Sequence, residues 1–302
     1  VPISWSDALF TATSAVTVTG LAVLDTDTHF TTAGQMVLLV LVQLGGIGIM
    51  TFAALTLLLL GHQLGIGEQR LVREAMNHTR VMDLGWLIKR IFVLVFVIEL
   101  VGFLLLSVIL IPDQGWLTGS YHALFYSISA FNNAGFALTS ESLVPKAGHW
   151  PLALVLGSLA VIGGLGFTVL AELRLRTRWS AMSLHSRLML SGTAILLLFT
   201  FVVFLLCEWS NPATLGSYDT SEKLAIGFFH AIVPRSAGFN MVDIGSLTLA
   251  VTMLYIVLMF IGAGTNSSGG GIKVTTFMVL ILSTRAFLSG RTTPSVFGRS
   301  IP

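Results

Sequence analysis

A ten-residue interval recurs along this chain and restricts what it can become. Ala8-Leu9-Phe10 leads to Ser14-Ala15 and then Gly20, and Ala123-Leu124-Phe125 leads to Ser129-Ala130 and then Gly135. Phe228 and Gly238 keep the same separation in a looser third copy. Each copy is an apolar stretch too short to span a bilayer, running into a turn of small residues closed by glycine. Each lies between longer apolar segments that reach the roughly 20 residues a spanning helix needs. A repeat of about 110 residues is too long for a soluble solenoid. It suits a unit of helix, re-entrant hairpin and helix, with several units around one axis.

Composition points the same way. Hydrophobic residues make up 54% and charged residues 10%, against about 25% charged in soluble domains, and mean hydropathy is +0.88. The net charge of +2 matters less than its distribution. Arg70, Arg73, Arg80, Lys89 and Arg90 form one basic junction, Arg174, Arg176, Arg178 and Arg187 a second, and Arg285, Arg291 and Arg299 a third. Acidic or neutral stretches carrying Asp25, Asp27, Asp113, Glu141, Glu208 and Asp219 alternate with them. The positive-inside rule puts the basic junctions in the cytoplasm and the glycine turns toward the outer face. Nucleic acid is not expected as a partner of so apolar a chain. The single cysteine, Cys207, excludes an internal disulfide and a cysteine-based metal site. His122 and His230 lack a second histidine at ligand spacing and read as structural, and the ten methionines read as packing.

The expected class is an all-α integral membrane protein of repeated helix, pore hairpin and helix units. Residues 1–61 hold a first unit with only its hairpin (about Trp5 to Val16) and second helix (about Gly34 to Leu60), and 62–83 a cytoplasmic linker. Residues 84–175 hold a second unit. Its first span is about Leu84 to Ile111, its hairpin helix about Ser120 to Phe131, and its second span about Trp150 to Leu173. After a linker at 176–187, residues 188–288 form a third unit, with a span near Leu188 to Cys207 and a hairpin helix near Ser221 to Val233. Residues 289–302 begin a further linker. By this reading the opening helix of the first unit and a fourth unit are absent from the chain.

The third unit's last apolar region runs for about 40 residues, and as one helix at 1.5 Å per residue it would be about twice as long as the hydrocarbon is thick. Its middle holds Gly262, Gly264, Thr265, Asn266, Ser267, Ser268, Gly269, Gly270 and Gly271. Each glycine costs a helix about 1 kcal/mol relative to alanine. The helix must therefore break, at a depth where irregular backbone survives only inside protein or beside water. Glycine clusters at the same depth in the other units, Gly45-Gly46-Ile47-Gly48 and Gly163-Gly164-Leu165-Gly166, are read as close helix packing.

The turns suit a dehydrated cation. Backbone carbonyls supply oxygens without burying a charge, and glycine adopts the left-handed backbone that aims them. Val18-Thr19-Gly20, Asn133-Ala134-Gly135 and Ser236-Ala237-Gly238 all have this form, each after a short helix whose C-terminal end is partially negative. Arg235 precedes the third turn. It either braces that turn, with Glu99 as a candidate partner, or faces an outer vestibule. Lys273 follows the broken helix, as a cation barrier, as an anchor for the loop, or snorkelling to the cytoplasm.

Three segments carry a family resemblance: Asn132-Asn133-Ala134-Gly135-Phe136, Arg235-Ser236-Ala237-Gly238-Phe239-Asn240, and Ser267-Ser268-Gly269-Gly270-Gly271-Ile272-Lys273. The chain resembles the membrane subunit of the Trk/Ktr/HKT superfamily of potassium transporters, nearest its KtrB type, over essentially its whole length. The resemblance implies a pseudo-fourfold pore with K⁺ as the transported ion and no cofactor. It implies a gate built from the loop at 262–273, and Na⁺ as a coupling ion in many members. It also implies a homodimer in the bacterial plasma membrane, in contact with lipid and controlled by an octameric cytosolic ring of nucleotide-binding subunits. A secondary transporter for another small solute, built from broken helices, would have inverted repeats, whereas the three turns here share one side. An enzyme is not expected, since no His-Glu-x-x-His or partnered nucleophile lies in a span. A haem carrier would need paired histidines within the membrane.

Overall fold

The computed structural model describes residues 3–48, 84–175, 178–235, 237–265, 267, 269–290 and 295–300. The linker at 62–83, the end of the first unit's second helix, Ser236, Asn266 and Ser268 lie outside these residues. Among the described residues the fold is helical apart from one hairpin, β1 (Ser295–Val296) paired antiparallel with β2 (Arg299–Ser300).

The first unit contributes α1 (Trp5–Val16), a short α2 (Thr26–His29) and α3 (Thr32–Ile47). Ser4 and Thr31 cap α1 and α3 by accepting from the N–H groups of Asp7 and Gly34. The second unit contributes α4 (Leu84–Gln114), α5 (Trp116–Phe131), α6 (Trp150–Leu165) and α7 (Phe167–Leu175). The third contributes α8 (Leu184–Glu208), α9 (Thr220–Ile232), α10 (Leu249–Phe260) and α11 (Val274–Leu288). A reciprocal capping box between Asp219 and Glu222 starts α9.

Packing repeats from unit to unit. Helix α3 packs on its own unit's α1 and on the next unit's α5, and α6 packs on its own α5 and on the next unit's α9. In the first two units the second helix thus wedges between its own unit's hairpin helix and the next unit's, which sets neighbouring units side by side. Helices α4 and α8 are apolar and long enough to cross a membrane. Their polarity is inverted relative to a soluble helix. Glu99 and Ser107 lie on the buried face of α4, and Thr193, Thr200 and Glu208 on that of α8, while Phe96 and Leu198 are exposed at 62% and 65%. Polar groups in a bilayer turn toward the protein interior because lipid offers them no partner.

Two expected elements, one span and one hairpin helix, differ in the structure. The apolar run from Trp150 to Leu173 is not one helix: α6 and α7 are bent by 99° at Gly166, which takes φ 89° and ψ 145°. The glycines there do more than allow close packing. The bend strips the last carbonyls of α6 of their helical partners, and one of them, Gly164 O, accepts from the Gly264 N–H at 2.8 Å. Hydropathy records how many apolar residues follow one another and says nothing of direction, so the bend was invisible to it. In the first unit α3 likewise stops within its glycine cluster, at Ile47, and Gly48 takes φ 88°. The second difference is in α5, which starts four residues earlier than expected because Gly115 at φ 81° turns the chain directly out of α4.

Candidate functional site

The three glycine turns meet. A Cβ built on Gly20 would lie 2.6 Å from the Ala134 carbonyl oxygen, and one on Gly135 would lie 2.5 Å from the Gly238 Cα and 3.0 Å from the Ala237 oxygen. One on Gly238 would lie 2.6 Å from the Gly135 Cα and 3.6 Å from the Ala134 oxygen. The second turn therefore sits between the first and the third, with the Ala134 carbonyl beside glycines of both neighbours. No side chain other than hydrogen fits at these glycines, and their φ values of 78°, 72° and 72° independently require glycine.

The local chemistry of the first two turns is the same, bond for bond. Thr19 N–H donates to Ser14 O at 2.9 Å and Ala134 N–H to Ser129 O at 2.8 Å. Val18 N–H donates to Ala15 O at 3.2 Å and Asn133 N–H to Ala130 O at 3.1 Å. This closure ends a helix with one left-handed residue, and here that residue is Val18 (φ 53°) or Asn133 (φ 57°). Asparagine tolerates the conformation, whereas β-branched valine is strained in it, by about 1–3 kcal/mol. Left-handed residues thus alternate with Thr19 and Ala134 up to the glycine, and the chain leaves the helix end in an extended path. In the third unit α9 passes through a 3₁₀ turn, Val233–Arg235, and Ala237 N–H donates to Val233 O at 3.1 Å. Ser129 Oγ closes the second turn by donating to Phe136 O at 2.9 Å. Val18, Asn133, Ala134 and Ala237 are buried, and Thr19 is exposed.

Glu99 is tied to Asn132, not Arg235. Its Oε2 accepts from Gln43 Nε2 at 3.1 Å and its Oε1 from Asn132 Nδ2 at 3.1 Å, while Asn132 Nδ2 also lies 3.0 Å from Gln43 Oε1. A carboxylate that accepts on both oxygens closes a ring between α3, α4 and the residue immediately before the second turn. Neither Asn132 nor Gln43 was legible as a site residue, because only the packing of one unit on the next brings them to Glu99. The repeat makes Arg235 the equivalent of Asn132. Its side chain is 8% exposed and its Nε has no hydrogen-bond partner.

The described residues of the glycine-rich stretch expected as a gate form a stitched loop between α10 and α11. Ile261 and Ile272 form a bridge. Gly262 N–H donates to Ile272 O at 3.0 Å, Ile272 N–H to Phe260 O at 3.0 Å and Ala263 N–H to Gly270 O at 3.2 Å. Ser267 Oγ donates to Gly264 O at 2.6 Å, and the hydroxyls of Thr265 and Thr275 lie 3.2 Å apart. Lys273 turns its ammonium onto the loop, donating to Gly269 O at 2.8 Å. Gly271 takes φ 78° at the return. The loop rests on the second unit's bend, since a Cβ on Gly264 would meet Leu165 O at 2.7 Å. Among the described residues no group of three or more His, Cys, Asp or Glu could hold a metal ion.

Comparison with known proteins agrees with this architecture. Residues 2–302 match the TrkH family, described as a cation transport protein. The chain is 45% identical over 300 residues to the Ktr system potassium uptake protein B of Bacillus subtilis, covering 99% of this chain and 67% of that protein. It is 44% identical to the protein of the same name from Vibrio alginolyticus, covering 99% and 66%. Identity to the potassium/sodium uptake protein NtpJ of Enterococcus hirae is 37%, covering 98% and 65%. The chain thus spans about two thirds of the length of these relatives. In fold it resembles the crystal structure of the potassium transporter TrkH from Vibrio parahaemolyticus. That match has a TM-score of 0.70 at 22% identity and covers 99% of this chain and 60% of that one.

Proposed function

Because this chain belongs to the TrkH family of cation transport proteins, we propose that it forms three units of a potassium uptake pore whose selective element is the junction of its glycine turns. One observation carries the reading: three turns, far apart in sequence, come into contact through glycines, with the Ala134 carbonyl beside Gly20 and Gly238. Carbonyls of Val18, Thr19, Gly20, Asn133, Ala134, Gly135, Ser236, Ala237 and Gly238 replace the ion's hydration water. Desolvating K⁺ against peptide dipoles requires no buried formal charge, and the pore helices α1, α5 and α9 add their partially negative C-terminal ends.

The loop at 262–273 is the gate, lying beside the path and held by its own backbone bonds and by Gly164. Arg235 and Glu99 support the turns, Glu99 through Asn132. The family is one of transporters, and the reading assigns no catalysis. Na⁺ is the coupling ion in this proposal, in keeping with the printed name of the Enterococcus relative, which pairs potassium with sodium. The name "Ktr system" borne by two relatives suits a pore that works with a separate regulatory subunit. We assign that role to a cytosolic nucleotide-binding ring, and the pore itself to a homodimer in the bacterial plasma membrane.

The test is growth of a bacterium lacking its own K⁺ uptake on low K⁺, with the full-length protein supplied and Na⁺ present or withheld. Growth that needs both the protein and Na⁺ is expected. Equal growth without Na⁺ would remove the coupling ion from the proposal, and no rescue in either medium would remove potassium uptake.

A further inference from the structure

His230 is fully buried in the pore helix α9, and the proposed pore gives it no task. Its hydrogen bonds determine its protonation. Met241 N–H donates to Nε2 at 3.0 Å, so Nε2 carries a lone pair and the ring proton sits on Nδ1. Nδ1 lies 3.0 Å from the Tyr255 hydroxyl, which in turn donates to the His230 carbonyl at 3.1 Å. Every donor in the cluster has one acceptor. The ring also stacks on Phe204 of α8, centroids 5.1 Å apart and planes at 12°. A histidine present only to fill space would not need both nitrogens aligned with groups from two other segments.

Those segments matter. Met241 is the third residue after Gly238, on the segment leaving the third turn. Tyr255 belongs to α10, which runs into the gate loop. The second unit holds the equivalent point by other means: Leu138, the third residue after Gly135, is hydrogen-bonded through its backbone to the Tyr126 hydroxyl of α5, which also bonds Thr139. In the first unit the equivalent residue, Val23, is 56% exposed. Two pore helices thus use different side chains to fasten the same point of the segment that leaves the turn. Fastening both ends of a short glycine segment sets where its carbonyls sit, a constraint that the turn's own sequence does not supply.

We propose that His230 is a positioning residue for ion selection: through Nε2 it fixes Met241 to α9 and so sets the third turn's carbonyls. The inference rests on reading the turns as the selective element. It is tested by comparing H230N with H230Q in the full-length protein, measuring K⁺ and Na⁺ uptake per molecule in the membrane of cells without other K⁺ uptake. Asparagine can replace the Nδ1 donor and removes the acceptor for Met241, whereas glutamine can restore an acceptor near Nε2. H230N is expected to lower the K⁺/Na⁺ preference about tenfold, the scale of one buried donor left unpaired, and H230Q to bring it back to within about threefold of wild type. Equal ratios in both variants, whether unchanged or equally reduced, would overturn the proposal. So would a fall in protein amount with an unchanged ratio per molecule. Should H230N fail to accumulate, Y255F, which leaves the Nδ1 proton without its acceptor, decides: a wild-type ratio in it overturns the proposal. A wild-type protein that carries no K⁺ would instead defeat the pore reading beneath it.

Discussion

The second and third units bring their glycine turns together and interrupt their second helices where Gly164 O meets Gly264 N–H, yet they support both features differently. In the second unit the turn follows Asn132, held in a closed ring with Glu99 and Gln43, and the helix break is one glycine, Gly166, at a 99° bend. In the third unit the turn follows Arg235, with its unpartnered Nε, and the break is an excursion from Ile261 to Lys273 bonded mainly to itself. The difference separates two jobs. The glycines of the bend press on the end of α5, while the loop's bonds are mostly its own with one tie to the bend, Gly264 N–H to Gly164 O; a loop that gates, as proposed, needs only that tie released.

The sharpest way to break this comparison is one methyl at equivalent depth. On Gly163 it would stand 1.7 Å from Phe131 O, at the end of a pore helix, and on Gly262 1.7 Å from Gly270 O, inside the loop. G163A should cost about 3 kcal/mol or more, since the backbone it meets is anchored on both sides, and abolish uptake along with most membrane-inserted protein. G262A should leave the protein in place and displace the loop. Comparable protein loss in both, read by quantitative blotting of membranes, would erase the distinction between frame and gate.

Removing residues 264–270 should raise K⁺ conductance several-fold in reconstituted vesicles, because the latch to Gly164 goes with them. Intact protein with lost transport would make the loop a structural element like the bend. Comparable in size are the paired substitutions G135S and G238S. Each adds a side chain at φ 72° against the other glycine's Cα. If the turns face one another as equals, both should reduce the K⁺ over Na⁺ preference by about tenfold, the equivalent of 1.4 kcal/mol. A loss confined to one would show that a single unit sets selectivity.

The smallest effects distinguish the residues before the turns. In E99Q one amide N–H₂ must face the donor of Gln43 or of Asn132, a cost of about 1–3 kcal/mol that should lower thermal stability in detergent. R235Q removes a charge that has no ion-pair partner among the described residues, so its effect should fall on ion preference more than on stability. The reverse pattern would exchange the roles given to the two units.

Much of this was legible in the linear chain. Spanning helices α4 and α8, the pore helices and their glycine turns, and the break after Phe260 all follow from apolar run length and from where glycine makes a helix untenable. These are local properties, carried by residues adjacent in sequence. The bend at Gly166 was not legible, because a bent apolar helix and a straight one have the same composition, and what makes the bend tolerable is a donor a hundred residues away, Gly264 N–H. The partners of Glu99 were not legible for the same reason: in a low-dielectric interior a carboxylate takes whichever donors packing delivers, and packing delivered Gln43 and Asn132. Sequence alone indicated a chain of apolar spanning helices and located the glycine turns. Tertiary structure decided that the turns touch and which side chains hold them, since a contact between distant segments depends on how whole helices pack and not on the pattern within any one of them.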